Sequence, residues 1–196
     1  MQNKSQQDAA WFRRASRSHE RRLIRSAQAG STEALEELYR LHWRRAHRAA
    51  YFVVYDAGAA EDITQEAFLA AIRALDRFDR RRPFGPWLNR IVVNRAIDWA
   101  RARALRPEVA IEPDAVPGFA DPSSPELVRT EPYSESVAEA LGALAPEHRA
   151  VVVLRYLLEY TPGEIAELLE LPRGTVNSRL RRALDRLAAE LEEERP

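Results

Sequence analysis

Arg173, Thr175, Asn177, Ser178, Arg181 and Arg182 fall within ten residues, threaded between Val176, Leu180, Ala183, Leu184 and Leu187. The apolar set steps by 4, 3, 1 and 3, the spacing of one buried helical face, which turns the polar set elsewhere. Guanidinium forks match phosphate oxygens and guanine edges, an Asn amide matches an adenine edge, and hydroxyls serve either. The segment just before it is built to hold such a helix. Thr161-Pro162 suits the cap and first residue of a short helix, which Ile165, Ala166, Leu168 and Leu169 would pack. Leu171-Pro172-Arg173-Gly174 then reads as a tight turn. A short bracing helix, a turn and a longer polar-faced helix is the arrangement that enters a DNA major groove.

A second cationic group lies far upstream. The stretch "FDRRRPFG", residues 78–85, places Arg80, Arg81 and Arg82 on a loop between two helical patterns. They would pair with phosphates or with a splayed base edge. The preceding pattern, "AAEDITQEAFLAAIRALDRF", sets Ile63, Ala67, Ala70, Ala74 and Phe78 on one stripe, leaving Asp62, Gln65, Glu66 and Leu69 on the opposite face. The following pattern gathers Leu88, Ile91, Val92, Arg95 and Trp99 on one side and Arg90, Asn94, Ile97 and Arg101 on another. Trp87 and Trp99 read as core rather than as base-stacking rings. Arg149 reads either as a contact to upstream phosphate or as a partner of Glu147. Arg179 reaches either the DNA backbone or a partner inside its own domain.

The chain has 196 residues and a formal net charge of zero, which conceals a sharp division. Residues 1–105 carry +8, residues 106–145 carry −6 and residues 146–196 carry −2. A local basic surface survives such cancellation. Residues 106–133 hold six prolines among many acids, which blocks helix continuation and predicts a flexible, partly extended linker. The zones on either side are helical in pattern, with no segment of strand period. The fold class expected is therefore all-α: two small helical domains, at 20–105 and 134–193, each with a modest core, joined by an acidic, Pro-rich linker at 106–133. Residues 1–19 would be a disordered extension or the start of a helix.

The same sequence excludes much. There are no cysteines, hence no disulfide, no thiolate chemistry and no cysteine zinc site. The four histidines lack a metal-ligand spacing, and no nucleophile–base set stands out. No metal, no cofactor and no catalysis are expected. No apolar run approaches the length of a membrane span, and the N-terminal residues lack the apolar centre of a secretory signal. A cytoplasmic protein without membrane insertion is the expectation.

Two blocks of sequence resemble one family. "AEDITQEAF", the "RF" ending and "PFGPWLNRIVVNRAID" are similar, in order, to the second conserved region of bacterial sigma factors, specifically the extracytoplasmic-function group. "LAPEHR", "EIA" and "PRGTVNSRLRRA" resemble their fourth region. Two departures are a Pro at position 86, before Trp87, and the absence of Gly near Glu159, where the family often has one.

The resemblance implies a subunit that binds core RNA polymerase and directs it to promoters. Asp62, Gln65, Glu66 and Leu69 would meet the clamp coiled coil of the largest subunit, with the polymerase flap as a further contact. Arg80, Arg81, Arg82, Phe84, Arg90 and Asn94 would contact the −10 element, the loop capturing an extruded base. Arg173, Thr175, Asn177, Ser178, Arg181 and Arg182 would read the −35 element as duplex, and the linker would thread into the polymerase channel. An anti-sigma factor is a partner often found in this group. The alternative is a stand-alone helix-turn-helix regulator.

Overall fold

In a computed structural model of the chain, residues 18–105 and 135–193 are described. The linker and the segment before residue 18 lie outside the described residues. Among those described, every regular element is helical. The first group is α1 (residues 18–28), α2 (Thr32–Val54), α3 (Ala57–Ala74) with a 3-10 turn at Leu75–Arg77, and α4 (Phe84–Ala104). The second is α5 (Glu135–Gly142), α6 (Pro146–Val152) running into a π-helical turn at Val153–Leu157, α7 (Pro162–Leu169) and α8 (Arg173–Glu193).

Local chemistry explains the boundaries. Ser31 caps α2, its hydroxyl accepting from the Ala34 N–H. Asp56 caps α3 by accepting from Ala59. Thr161 and Glu164 form a reciprocal capping box on α7, with Pro162 in its first turn, so two of the unpaired first-turn donors are satisfied. α4 starts after Pro83 with no cap from its own cap residue. Glu20 of α1 supplies one from a distance, accepting from the backbone N–H groups of Phe84 and Gly85.

Glu20 also lies 3.0 Å from Nε2 of His42, off the hydrogen-bonding direction. A Cβ on Gly85 would come within 3.3 Å of the His42 ring, so glycine lets α4 approach. Burial alone would raise the Glu20 pKa, but His42 and the two backbone donors outweigh it and the net shift is downward. The folded-state pKa is thus below the unfolded value, so the contribution to stability is present above about pH 4.5 and lost as pH falls through the folded pKa. Glu20→Gln should lower the neutral plateau of a stability–pH curve and so flatten its acid limb, while changing stability below the folded pKa least. A curve with unchanged acid slope would contradict this role.

Among the described residues, three non-glycine residues have left-handed backbone: Tyr55, Glu159 and Glu170. Glu159, at φ 60°, falls where the family often has glycine. A side chain there is disfavoured by roughly 1–2 kcal/mol, offset in part by the extra unfolded-state freedom of glycine. Glu159→Gly is expected to stabilise the chain by up to about 1 kcal/mol in denaturant titration; a loss of stability would refute this account.

Two expectations need correction. The turn before α8 consists of Glu170, at φ 54°, with Leu171 and Pro172. Arg173 and Gly174 already belong to the helix, because the Pro172 carbonyl accepts from Thr175 and Val176. The two modest cores are in fact one apolar cluster, continuous from Leu23 to Ala183. The reason is visible at two runs buried without a break, Phe52-Val53-Val54 and Val151-Val152-Val153-Leu154. An amphipathic helix buries one stripe; these helices are covered on more sides because α2 and α4 pack against α6 and the π turn.

Candidate nucleic-acid and polymerase interfaces

On α8, Val176, Leu180 and Ala183 are buried and anchor the helix against the second group, whereas Leu184 is 41% exposed and does not belong to the packed face. Arg173, Asn177, Arg181 and Arg182 are exposed, and Thr175 and Ser178 half-buried. Arg173, Asn177 and Arg181 recur every four residues, with Ser178 and Arg182 alongside, so the six form one broad face. The Ser178 hydroxyl donates to the Thr175 carbonyl at 2.9 Å, which leaves its lone pairs as acceptors. Among the described residues, Arg173, Arg181 and Arg182 have no ion-pair partner, while Arg186 reaches Glu190 at 3.6 Å. Arg173 opens the helix, where the macrodipole disfavours a cation and favours an anion. A phosphate placed there would satisfy both the arginine and the helix end.

On α3, Asp62, Gln65, Glu66 and Leu69 are all exposed on one face, as expected. Glu66 pairs with Arg95 at 2.6 Å, and Gln65 donates to Glu61 at 3.0 Å. The apolar surface extends beyond the predicted residues: Ile72, three residues after Leu69, is 41% exposed, and Tyr39 of α2, packed on Phe68, is 38% exposed. Both border a shallow apolar hollow with Leu35, Leu38, Phe68 and Leu75. The signal for Ile72 was its i+3 spacing from Leu69.

The loop before α4 holds Arg80, Arg81 and Arg82 exposed. Asp79 shapes it, its carboxylate accepting from the Arg81 N–H and its carbonyl from the Arg82 N–H. Phe84 is a correction. It is 3% exposed, its ring packed against Phe78, Trp87 and His42, so it supports the loop from beneath and presents no surface to a base. Trp87 and Trp99 are partly buried against the core.

Sigma-70 region 2 matches residues 38–106, and Sigma-70 region 4 matches residues 134–187. The chain is 35% identical over 175 residues to the extracytoplasmic-function RNA polymerase sigma factor SigM of Mycobacterium tuberculosis, covering 87% of this chain and 85% of SigM. It is 29% identical to SigW of Bacillus subtilis, covering 87% and 96%. The chain belongs to the extracytoplasmic-function sigma factors. The solved structure of CnrH with the cytosolic domain of CnrY is similar at a TM-score of 0.65 and 29% identity, over 90% of this chain and 99% of CnrH. The sigma factor therefore acts with RNA polymerase in promoter recognition, and the stand-alone regulator is set aside.

In this sigma factor the α4 stripe of Arg90, Asn94, Ile97 and Arg101 is only partly open to solvent. Ile97 is 7% exposed. Arg90 is half-buried and ion-paired with Glu170 at the end of α7. Arg101 pairs with Glu147 at the start of α6, 2.5 Å away. Asn94 remains exposed. Burial would raise the Glu147 pKa, but its own backbone N–H, Arg101 and Arg179 outweigh it, and the net shift is downward.

Arg149 fits neither predicted role. It is 7% exposed, and burial pulls its pKa below the ordinary value. Nη1 donates to the Val53 carbonyl at 2.8 Å, and Nη2 to the carbonyls of Gly142 and Leu144. Val53 lies in the last turn of α2, where carbonyls lack partners within the helix. In the other direction, Arg45 of α2 donates to the Leu158 carbonyl that ends the π turn. Asn89 of α4, 3% exposed, donates to the Tyr160 hydroxyl at 3.0 Å. Each region's guanidinium caps a helix end of the other.

Proposed function

We propose a division of labour within the sigma factor. The α3 face of Asp62, Gln65, Glu66 and Leu69 docks on core RNA polymerase. The α8 face reads the −35 duplex. The loop arginines Arg80, Arg81 and Arg82, with Arg90 and Asn94, contact the −10 element. Residues 20–105 and 134–193 are the two working domains, with 106–133 between them. The sigma factor is a specificity subunit with no catalytic step of its own, working in the cytoplasm and held, when idle, by an anti-sigma partner.

The observation that carries this reading is the α8 face. Three exposed arginines, without ion-pair partners among the described residues, flank Asn177 and two hydroxyls on one side of a helix that Val176, Leu180 and Ala183 clamp from behind. The α3 face supports the docking role because it joins exposed carboxylates to Leu69 and Ile72, the mixture of polar rim and apolar centre found at protein interfaces.

Run-off transcription with purified core polymerase on a pool of genomic promoters tests the whole reading. Transcripts should start at a shared pair of elements and disappear without the sigma factor; none at any template would end the proposal. Asp62→Ala/Gln65→Ala should weaken core binding by about ten- to hundredfold while leaving the fold intact, since both side chains are exposed. Unchanged affinity in a pull-down or titration would contradict the docking assignment. Glu66 is left in place there because its removal would also release Arg95.

A further inference from the structure

Across the seam between the two regions, Arg149 and Arg45 bind the ends of helices. A second set of such bonds lies within the first region and is made by α1. None of the residues given to DNA or polymerase above belongs to this helix. Its apolar residues Leu23, Ile24 and Ala27 are buried. Glu20 and Gln28 fall on the same broad side of the helix, and both are half-buried. Both reach the loop that carries Arg80, Arg81 and Arg82, one at each end.

At the loop's entry, Gln28 Nε2 donates to the Leu75 carbonyl at 2.8 Å and to the Phe78 carbonyl at 3.1 Å. The Leu75 carbonyl also accepts from the Phe78 N–H, which closes the 3-10 turn. At the exit, the Glu20 carboxylate accepts from the N–H groups of Phe84 and Gly85. These begin α4, where N–H groups lack a partner within the helix. Beneath the loop, the Phe78 and Phe84 rings meet at 5.8 Å, and both pack against Trp87. Apolar packing of that kind is non-directional. Hydrogen bonds are directional, so they fix where the two ends lie. Asp79 fixes the middle through the Arg81 and Arg82 N–H groups. The three exposed arginines are thus mounted on a backbone held at its entry, middle and exit.

We propose that α1 is a brace for −10 recognition, in which Gln28 and Glu20 are positioning residues that set the geometry of the arginine loop and, through it, the base preference of the sigma factor. This rests on the division of labour proposed above, which gives the loop arginines to the −10 element. A base drawn out of the stack must find its contacts already arranged, because ordering a loop on binding draws on affinity. A supporting shell that is loose by ~1 Å leaves such contacts present but ineffective. Neither residue needs to touch the DNA, since each acts through backbone bonds. Loosening one end lets the arginines shift. Loosening both frees the loop from α1 and leaves it on its aromatic floor alone.

Run-off transcription by the full chain with core polymerase tests the brace, on templates that share one −35 element and differ by single bases across the −10 element. The quantity read is discrimination: transcript from the best template divided by transcript from each single-base change. A smaller folded fraction scales every template alike, so a merely structural role leaves this ratio unmoved. Gln28→Met keeps the side chain's length and removes its donors, and Gln28→Met/Glu20→Gln weakens both ends. At the base where Arg80→Ala/Arg82→Ala loses discrimination, the double variant should lose about tenfold and each single variant less, with core affinity unchanged. Ile24→Val trims the buried side of α1 without touching the loop; it should lower stability and keep the wild-type ratio. Hydrogen exchange in the wild type needs no variant: the Phe84 and Gly85 amides should be protected, unlike ordinary first-turn amides. Unchanged discrimination in the double variant, an equal fall in Ile24→Val, or unprotected Phe84 and Gly85 amides overturns the brace. Should the double variant not fold, Gln28→Met and the exchange measurement decide in the same way. Failure of the division of labour would show differently: Arg80→Ala/Arg82→Ala would keep wild-type discrimination at every base, whereas failure of the brace alone leaves that loop variant defective.

Discussion

Replacing Arg149 with methionine should lower stability by about 3 kcal/mol. The methionine fills most of the arginine's volume but leaves the carbonyls of Val53, Gly142 and Leu144 without their donor. An unpaired buried polar group costs about 1–3 kcal/mol, and three are stranded together. Relief of the buried charge and of the unpartnered Nε returns part of that, so the net is less than the sum. For a chain of this size, ~3 kcal/mol corresponds to about a 10 °C fall in Tm. Arg149→Lys should recover only part of it, because an ammonium lacks the planar fork that spans two regions. A thermal melt of the two variants checks both statements. A methionine variant as stable as wild type would mean that the seam bonds contribute nothing to the native state.

Arg181→Ala/Arg182→Ala should reduce transcription dependent on the −35 element by about two orders of magnitude and leave core-polymerase affinity unchanged. Each arginine that makes a paired contact with a base edge or phosphate contributes about 1–3 kcal/mol. Both side chains are exposed and have no ion-pair partner among the described residues, so their loss disturbs no bond to those residues and the effect reports on recognition. The salt dependence of promoter binding should also become shallower, since fewer phosphate counterions are released. Simultaneous loss of core affinity would count against separate docking and reading surfaces.

The α8 face illustrates what periodicity can deliver. Apolar spacing alone separated Val176, Leu180 and Ala183 from the polar set, because a helix maps sequence separation onto angle with little help from its neighbours. Leu184 escaped that rule: whether an apolar residue at the edge of a stripe is covered depends on the helix opposite it. The cap at Thr161 was legible for the same local reason, since the donor and acceptor lie three residues apart. The strained backbone at Glu159 had a trace in sequence too, in the place where glycine is missing from the pattern.

Phe84, Arg101 and Arg149 were misplaced by sequence reasoning, and they share a cause. Each takes its role from a residue distant in the chain: His42 for Phe84, Glu147 for Arg101, Val53 for Arg149. The unbroken apolar runs at 52–54 and 151–154 were the available warning that helix faces beyond one stripe needed cover. Glu20 gave no warning at all, because a carboxylate on α1 that caps α4 is a product of how the two helices meet.

By itself, then, the sequence determined an all-helical sigma factor with the exposed polar faces of α3 and α8, because helical period and local caps depend on neighbours within one or two turns. Only the tertiary structure decided that the two regions share one core and cap each other's helix ends. Those contacts join residues dozens of positions apart, and no local spacing encodes which buried carbonyl a distant arginine will find.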